Sequence, residues 1–441
     1  MKKTLLLTLA VGFVSATPLM ATNVYLTGST AFRSNVHDAC YKLFQPGTVT
    51  TNYDTTKILG GDGTKANSNP VWAFSGTPIA ALTNITDTLT IRANFTGSVQ
   101  GIQTVEAGTP LVFLDLAGTS TVTNAPTIAF SDVSASSTPY PATGNFTEES
   151  VAVQPFVMVK SITTNSTFAT ALNNVSYEQL RYLVGSGNTP LSAWTYRPAD
   201  YNTLVYMLNR TKDSGTRRTA FAMEGYNFSV GATIYNWDPT NNAFYKGINS
   251  LNTAAGAPGY GVIGAAGLNN ANLNWGAGYV GGGDVKKALQ YNNGNNLSIA
   301  YLSFADDRAI TSTNWSQVVS LNGVWPTLAG ASIRNGGGGT NDFSPITLGY
   351  YPNWAEEVVV YPKVPNNSQQ QITATQLGHQ TVPGSFLGVL GYQASLSGGT
   401  PPLGSLENEI IVSQTSANGA TAIRLIDMVS SRAAVGGLIS P

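Results

Sequence analysis

Apolar and polar residues along the chain follow two periods, one typical of strands and one typical of helices. Short apolar runs recur, and between them apolar residues return every three or four positions. The predicted strands are Val24–Leu26, Leu89–Ala93, Leu111–Leu116, Thr127–Phe130, Val151–Val159, Leu204–Leu208, Leu297–Phe304 and Glu357–Tyr361. Helices are predicted after Arg33 as far as Phe44, over Tyr177–Val184 and over Asp284–Leu289. Strands that alternate with helices predict an α/β protein.

Length and composition indicate two lobes with few charges. The chain has 441 residues, too many for one ordinary compact domain. Apolar residues make up 42%, enough for real cores, but charged residues only 10%, against about 25% in typical soluble proteins. Gly/Asn-rich segments at 256–283 and 335–341 are predicted to be surface loops. The formal net charge of −1 argues against a nucleic acid or an anionic membrane as partner.

Residues 1–21 have the pattern of a secretory signal peptide. The basic Met1–Lys3 precedes an apolar stretch, Thr4–Val14, which is too short to span a bilayer stably. Small-residue cleavage sites end at Ala16 and Ala21, and the strand pattern that follows at once favours Ala21. We therefore expect an exported protein, in the periplasm or outside the cell, with no membrane insertion after cleavage.

Three polar, glycine-containing turns each follow a predicted strand and open a helical pattern. They are Gly28–Arg33, Gly97–Gly101 and Asp213–Thr216. The start of a helix has free backbone N–H groups and a dipole that favours negative charge, and Ser and Thr hydroxyls add donors. Several such turns in one place form an anion cage built from neutral dipoles. Each turn alone is explained at least as well by helix capping.

A series of short segments occurs in an order known from one protein family. The segments are Gly28–Phe32, Gly97–Ile102, Ile128–Val133, Val151–Val159, Arg210 with Ser214–Thr216, Gly281–Val285, Ile299–Ser303 and Leu348–Pro352. In this order they resemble the phosphate-binding proteins of bacterial ABC uptake systems, within the type 2 periplasmic binding proteins. The Arg four residues before Ser-Gly-Thr is the most specific element, and the tail after Pro362 matches poorly.

The resemblance implies an α/β fold of the two-lobed type 2 periplasmic binding protein class, with a ligand cleft between the lobes. The implied organisation is a signal peptide at 1–21, the first part of lobe 1 at 22–155, lobe 2 at 156–298, and a return to lobe 1 with a divergent C-terminal extension at 299–441. The crossing strands Val151–Val159 and Leu297–Phe304 are expected to form the hinge.

The resemblance also implies which residues bind the ligand. They are Thr30, Ala31, Phe32, Ser98, Asp132, Arg210, Ser214, Gly215 and Thr216. Arg210 would hold the oxyanion by a charge-assisted contact. Ser98, Ser214–Thr216 and the Phe32 backbone would donate N–H and O–H groups. Asp132 would accept the proton that phosphate carries and sulfate lacks. From the residues alone, Asp132 is an Asx turn or a helix cap.

The chain departs from the family pattern near the turns. Ala31 stands where the family usually has a hydroxyl, so one donor is lost unless Ser29 or Thr30 turns inward. Val99 and Gln100 replace small residues in the second turn. The extra cations beside the motifs either strengthen the field on the anion or are solvated helix-face charges. These cations are Arg33, Arg217 and Arg218.

The function that these features predict is an exported, monomeric solute-binding protein. Its ligand would be inorganic phosphate or a similar tetrahedral oxyanion, delivered to an ABC permease, with no cofactor, metal or catalysis. One alternative is an extracellular or structural protein of the same fold, which the low charge and the altered first turn favour.

The other alternative, a secreted phosphatase-like hydrolase, lacks the residues that catalysis needs. The two histidines are His37, predicted on a helix surface, and His379 in the tail, and no cluster has metal-ligand spacing. The single cysteine, Cys40, excludes an intramolecular disulfide and is predicted to be a buried structural thiol.

Overall fold

The computed structural model describes most of the chain between the predicted signal peptide and residue 362. The described residues are 22–41, 43–61, 63–80, 85, 87–138, 146–211, 213–223, 233–238, 242–246, 278–279, 281–291, 294–304, 306, 317–327, 343–362, 431–432 and 439–440. The predicted signal peptide, His379, the loop at 335–341 and most of the loop at 256–283 lie outside these residues, as does most of the tail.

Helices are interspersed among the strands along the described chain. The strands are β1 (Thr22–Gly28), β2 (Thr50–Tyr53), β3 (Val71–Gly76), β4 (Leu89–Asn94), β5 (Leu111–Leu114), β6 (Thr121–Asn124), β7 (Ile128–Ser131), β8 (Phe146–Lys160), β9 (Asn174–Val175), β10 (Asn188–Pro190), β11 (Leu204–Met207), β12 (Tyr235–Asp238), β13 (Ala243–Lys246), β14 (Ser298–Ser303), β15 (Gln317–Leu321), β16 (Trp354–Pro362), β17 (Ser431–Arg432) and β18 (Ile439–Ser440). The helices are α1 (Arg33–Tyr41), α2 (Ser98–Ala107), α3 (Ser166–Ala171), α4 (Tyr177–Ser186), α5 (Ser192–Thr195), α6 (Gly215–Met223), α7 (Gly282–Leu289) and α8 (Ser344–Thr347).

All the predicted strands and helices are present, with differences at their ends. The first helix ends at Tyr41 rather than Phe44, and β5 ends at Leu114 rather than Leu116. Among the strands that the sequence pattern missed, β2 reads Thr-Thr-Asn-Tyr and forms because it pairs with β3. β3 begins with four consecutive buried residues without alternation, a pattern that does not distinguish strand from helix.

A long central strand, β8, divides the main sheet into two halves. In the described part of the chain the strand order is β10-β11-β14-β8-β16-β7-β1-β4-β3-β2, and β15 pairs with both β8 and β9. Residues 146–155 of β8 pair with β16, whereas residues 156–160 pair with β14 and β15. We call the half with β1–β4, β7 and β16 lobe 1 and the half with β9–β11, β14 and β15 lobe 2. The predicted two-lobed α/β fold is confirmed.

The chain returns to lobe 1 later than the sequence led us to expect. β14 and β15 both pair with the lobe 2 part of β8, and Tyr351 and Trp354 still pack in the lobe 2 core. The strand that pairs with residues 146–155 is β16, so β16 rather than Leu297–Phe304 is the second link between the lobes. We therefore propose a lobe boundary near Asn353 in place of the one at 298.

Two helices cover opposite faces of the lobe 1 sheet. Phe32, which directly precedes α1, and Val36 of α1 pack on one face. Ile102 and Val105 of α2 pack on the other face. A separate, larger core fills lobe 2. Because both faces are covered, the ends of the lobe 1 strands are the positions left for a site. None of the described helices has the length and apolar character needed to cross a membrane.

Candidate anion-binding site

Three strand ends of lobe 1 bring predicted site residues to one edge of the sheet. β1 runs parallel to both β4 and β7, so the C-terminal ends of these strands lie side by side. Ser29, Gly97 and Asp132 follow these ends within a few residues. From lobe 2, Arg210 and Thr216 reach the same place, as their hydrogen bonds to lobe 1 demonstrate.

The first turn is closed by Ser29. Its Oγ accepts hydrogen bonds from the backbone N–H groups of Ala31 and Phe32, at 3.2 and 3.3 Å. The Phe32 N–H, which the resemblance assigned to the ligand, is therefore bonded within the turn. The Phe32 ring lies in the lobe 1 core. Ser29 thus caps the start of α1, which is the alternative to ligand binding that the sequence left open for this turn.

Thr30 supplies the hydroxyl that Ala31 lacks. The Thr30 Oγ1 accepts a hydrogen bond from Arg210 Nη2 at 3.0 Å, so this hydroxyl faces the predicted anion-binding guanidinium. Ala31 packs against Phe156 and Ala355, where β8 and β16 meet at the lobe junction. An apolar side chain suits that contact, which accounts for the departure from the family pattern.

The second turn is bonded to both neighbouring turns. Gly97 has a φ of +120° and donates its N–H to the Gly28 carbonyl at 2.8 Å. Val99 donates its N–H to the Asp213 carbonyl of lobe 2 at 3.1 Å. Ser98, the first residue of α2, is buried and points its hydroxyl at Asp132. The second turn therefore contributes a side-chain donor, while the N–H groups of Gly97, Val99 and Gly101 are bonded to backbone carbonyls.

Asp132 lies at the centre of these contacts. It is 1% exposed, and its carboxylate accepts hydrogen bonds from Ser98 Oγ and, at 3.2 Å, from Thr216 Oγ1. Burial raises the pKa of Asp132, although the Ser98 hydrogen bond and the positive charge of Arg210 act in the opposite direction. Two of the hydroxyls that the resemblance assigned to the ligand, those of Ser98 and Thr216, are thus in contact with Asp132.

The third turn opens α6 in lobe 2. Ser214 Oγ accepts a hydrogen bond from the Arg217 N–H at 3.3 Å, so Ser214 is the N-cap of the helix. Gly215 is the first helical residue, and a Cβ on it would overlap the Asp132 carboxylate. A carboxylate from lobe 1 therefore lies against the N-terminus of a lobe 2 helix, where the helix dipole stabilises negative charge.

Arg210 is a buried cation held from lobe 2. Only 5% of it is exposed, and its Nε donates to the Tyr279 carbonyl at 3.1 Å. Burial lowers the pKa of Arg210, and the charges of Asp306, Asp132 and Asp284 oppose this effect. Arg210 thus lies beside Thr30 and within the field of Asp132.

Arg33 forms a buried ion pair between the lobes. Its Nη2 lies 3.0 Å from Oδ1 of Asp306, which follows β14, and its Nε donates to the Ser68 carbonyl at 2.6 Å. Burial acts to raise the pKa of Asp306, but the charges of Arg33 and Lys286 and two hydrogen bonds outweigh it and lower the pKa. Arg33 is therefore not a solvated helix-face charge.

The other two extra arginines are bonded to backbone carbonyls. Arg217 is buried, donates from Nη1 to the Arg210 carbonyl at 3.0 Å and lies 5.0 Å from the centre of the Phe221 ring. Arg218 donates from Nη1 to the Ser137 carbonyl of lobe 1 at 3.0 Å. Both help to hold the third turn in place.

Sequence reasoning missed three carboxylates at or near this site. Asp306 and Asp284 contribute to the field on Arg210, and Glu357 lies fully buried on β16, 3.4 Å from Ser29 Oγ. The signal for Glu357 is a carboxylate within a predicted strand that is otherwise apolar. Asp306 has no such local signal, because its partner is far away in the sequence.

The residues considered for catalysis and redox chemistry have structural roles in the described chain. His37, predicted on a helix surface, is 7% exposed, and its ring contacts Asp38 and Tyr53 and packs on Trp72 and Phe74. That prediction was wrong, because β3 covers this face of α1. Cys40 is buried as predicted, and burial raises its pKa well above the usual value. No group of His, Cys, Asp and Glu with metal-binding geometry occurs among the described residues.

Comparisons with known proteins found similar folds but no sequence family. No protein-family model matches the chain, and no curated protein sequence matches it. A putative phosphate ABC transporter substrate-binding protein of Clostridium perfringens, solved with phosphate, is 13% identical to this chain, with a TM-score of 0.40. The similarity covers 79% of this chain and 90% of that protein. A phosphate-binding protein of Stenotrophomonas maltophilia is 13% identical with a TM-score of 0.39, covering 92% and 91%.

A regulatory protein is also similar. The regulatory domain of CcmR from Synechocystis, in complex with 2-PG, is 8% identical with a TM-score of 0.34, covering 80% of this chain and 94% of that one. Phosphate-binding proteins are thus found among the similar structures, as the order of the motifs led us to expect. At identities and TM-scores this low, the similarity carries no argument about the ligand of this chain.

Proposed function

We propose that this protein is an exported solute-binding protein. It binds inorganic phosphate, or a similar tetrahedral oxyanion, between its two lobes and delivers it to an ABC permease. The observation that carries the proposal is the convergence of three helix-start turns, two from lobe 1 and one from lobe 2, on two buried residues, Asp132 and Arg210.

The donors around this pair suit a small anion. Thr30 contributes a hydroxyl, and the N-terminus of α6 contributes its dipole. The hydroxyls of Ser98 and Thr216, which donate to Asp132, would turn to donate to the bound anion. Arg210 contributes the positive charge, so the chain does not need a positive net charge to bind an anion here. The contacts come from both lobes, so a ligand bound here would link them.

Asp132 provides the selectivity. A buried carboxylate repels an anion unless the anion brings a proton to share. Phosphate carries such a proton near neutral pH, whereas sulfate does not. We therefore expect phosphate and arsenate to bind and sulfate to be rejected.

Isothermal titration calorimetry with phosphate, arsenate, sulfate and molybdate tests the proposal. Arg210→Ala is expected to weaken phosphate binding by at least about thirtyfold, because a buried charge-assisted contact contributes on the order of 2 kcal/mol or more. Asp132→Asn is expected to weaken phosphate binding and to relax the rejection of sulfate, because an amide can donate to an unprotonated anion.

Matched controls lie outside the cleft. Arg197→Ala removes an exposed arginine, and Asp115→Asn changes a carboxylate in the turn between β5 and β6. Both are expected to bind phosphate like the wild type. Absence of heat with all four anions would refute the proposal. Steady release of phosphate from a phosphoester would instead favour the hydrolase that the sequence left as an alternative.

A further inference from the structure

Glu357 is a buried carboxyl group beside the site that the proposed function does not use. It is 0% exposed, and its Oε1 lies 3.4 Å from Ser29 Oγ, which donates to it. The other oxygen, Oε2, is buried and has no hydrogen-bond partner among the described residues. A buried carboxylate with an unpaired oxygen is costly in its charged form, so this group favours the neutral acid.

The strand register places Glu357 next to Asp132. β16 and β7 are antiparallel with Val358 opposite Ser131, so the next position along each strand brings Glu357 and Asp132 side by side. On the other side of β16, the residue opposite Glu357 is the uncharged Ala152 of β8. The charged group that faces Glu357 from the neighbouring strands is therefore another carboxylate.

The hydrogen bonds described above for the arginines of the site go to residues other than Glu357. Arg33 pairs with Asp306, and Arg210 bonds to Thr30 and to the Tyr279 carbonyl. Burial and then the charge of Asp132 raise the pKa of Glu357 well above its usual value, and the Ser29 hydrogen bond lowers it in part. A bound anion would add a second negative charge near the same buried carboxyl.

We propose that, at pH values where Glu357 is ionised in the free protein, binding of the anion makes Glu357 take up a proton, so that it faces the occupied site as a neutral acid. This inference rests on the proposed function. The proton comes from solvent and stays on the Glu357 carboxyl, and no bond of the anion is broken. Glu357 thereby makes affinity depend on pH in addition to the ionisation of the ligand itself.

The direction of the effect follows from linkage. The anion binds better to the protonated form, so affinity falls as pH rises through the pKa of Glu357 in the free protein. The extra fall approaches about tenfold per pH unit where a full proton is taken up. Glu357→Gln is neutral at every pH and lacks this dependence, while the ionisation of phosphate affects both proteins equally.

Calorimetry of phosphate binding in buffers of different ionisation enthalpy measures the proton uptake. Wild type is expected to take up more protons than Glu357→Gln, by up to about one, within the pH range where free Glu357 is ionised. Glu356→Gln is the matched control, because its carboxylate accepts from Ser150 at 2.6 Å and does not contact Ser29. It is expected to match the wild type.

Ser29→Ala is a second variant that leaves the acid in place. Removing the Ser29 hydroxyl removes a hydrogen bond that favours the ionised form, so the fall in affinity should move to higher pH. Equal proton uptake by wild type and Glu357→Gln, with phosphate still bound, would overturn this inference alone. So would a Ser29→Ala profile that matches the wild type. No phosphate binding by the wild type would overturn the proposed function as well.

Discussion

The buried ion pair between Arg33 and Asp306 is expected to hold the two lobes together. Arg33 begins α1 in lobe 1, and Asp306 follows β14 in lobe 2. Their side chains are only 10% and 5% exposed, and the charged atoms lie 3.0 Å apart. We predict that Arg33→Met and Asp306→Asn each destabilise the protein strongly and that the two effects are not additive.

The distance between the two charges and their burial set the size of the expected destabilisation. At 3.0 Å and an effective dielectric constant of about 20, the attraction is about 5 to 6 kcal/mol, part of which offsets the desolvation of both groups. Removing one partner leaves the other charge buried, which typically costs about 3–5 kcal/mol. The double variant leaves neither Arg33 nor Asp306 buried without its partner, so we expect it to cost less than the sum by at least about 1.5 kcal/mol.

Urea denaturation, followed by circular dichroism and tryptophan fluorescence, measures the free energy of unfolding of the four proteins in this cycle. Arg197 and Asp200 form a second pair, in which 58% of the Arg197 side chain is exposed, and the same cycle there should yield a much smaller coupling. Additivity of the Arg33 and Asp306 effects within about 0.5 kcal/mol would refute the reasoning.

The contribution of this pair to stability changes with pH in a definite direction. Asp306 has a lowered pKa in the folded protein, because Arg33, Lys286 and two hydrogen bonds outweigh its burial. A carboxyl with a lowered folded pKa stabilises the protein above its unfolded value, about 3.9, and this stabilisation is lost as pH falls through the folded value. The coupling energy should therefore be constant near neutral pH and decrease only in acid.

Two further predictions concern stability. Gly215→Ala should cost about 1–3 kcal/mol, because its Cβ would overlap Asp132. Gly283→Ala within α7 should be neutral or stabilising by up to about 1 kcal/mol, since the nearest atom to that Cβ is 4.0 Å away. Equal melting temperatures for these two variants would contradict the overlap. Wild type should also lose stability as pH rises above about 4.3, since folded Glu357 keeps a proton that the unfolded chain releases. Glu357→Gln should reduce this slope in urea titrations at several pH values, and parallel curves would exclude a raised pKa.

Local patterns predicted the strands and the starts of the helices at the site. Ser98 and Gly215 begin helices because Ser, Thr and Gly have local preferences for turns and caps, and these act within a few residues. The predicted neighbours Asp132 and Arg210 were found at one place because they follow strands of the predicted sheet. The resemblance assigned the Phe32 N–H to the ligand, whereas in the structure it donates to Ser29, as helix capping of the first turn predicts.

The sequence by itself determined the alternation of strands and helices, the order of the turns and the set of donors around Asp132. Only the tertiary structure decided which groups are buried and paired. Arg33 meets a carboxylate 273 residues away, and Ser29 meets one 328 residues away. The burial of His37 depends on β3, a strand that local pattern did not predict. The physical reason is that periodicity and capping are short-range, whereas desolvation and charge pairing depend on which distant strands become neighbours.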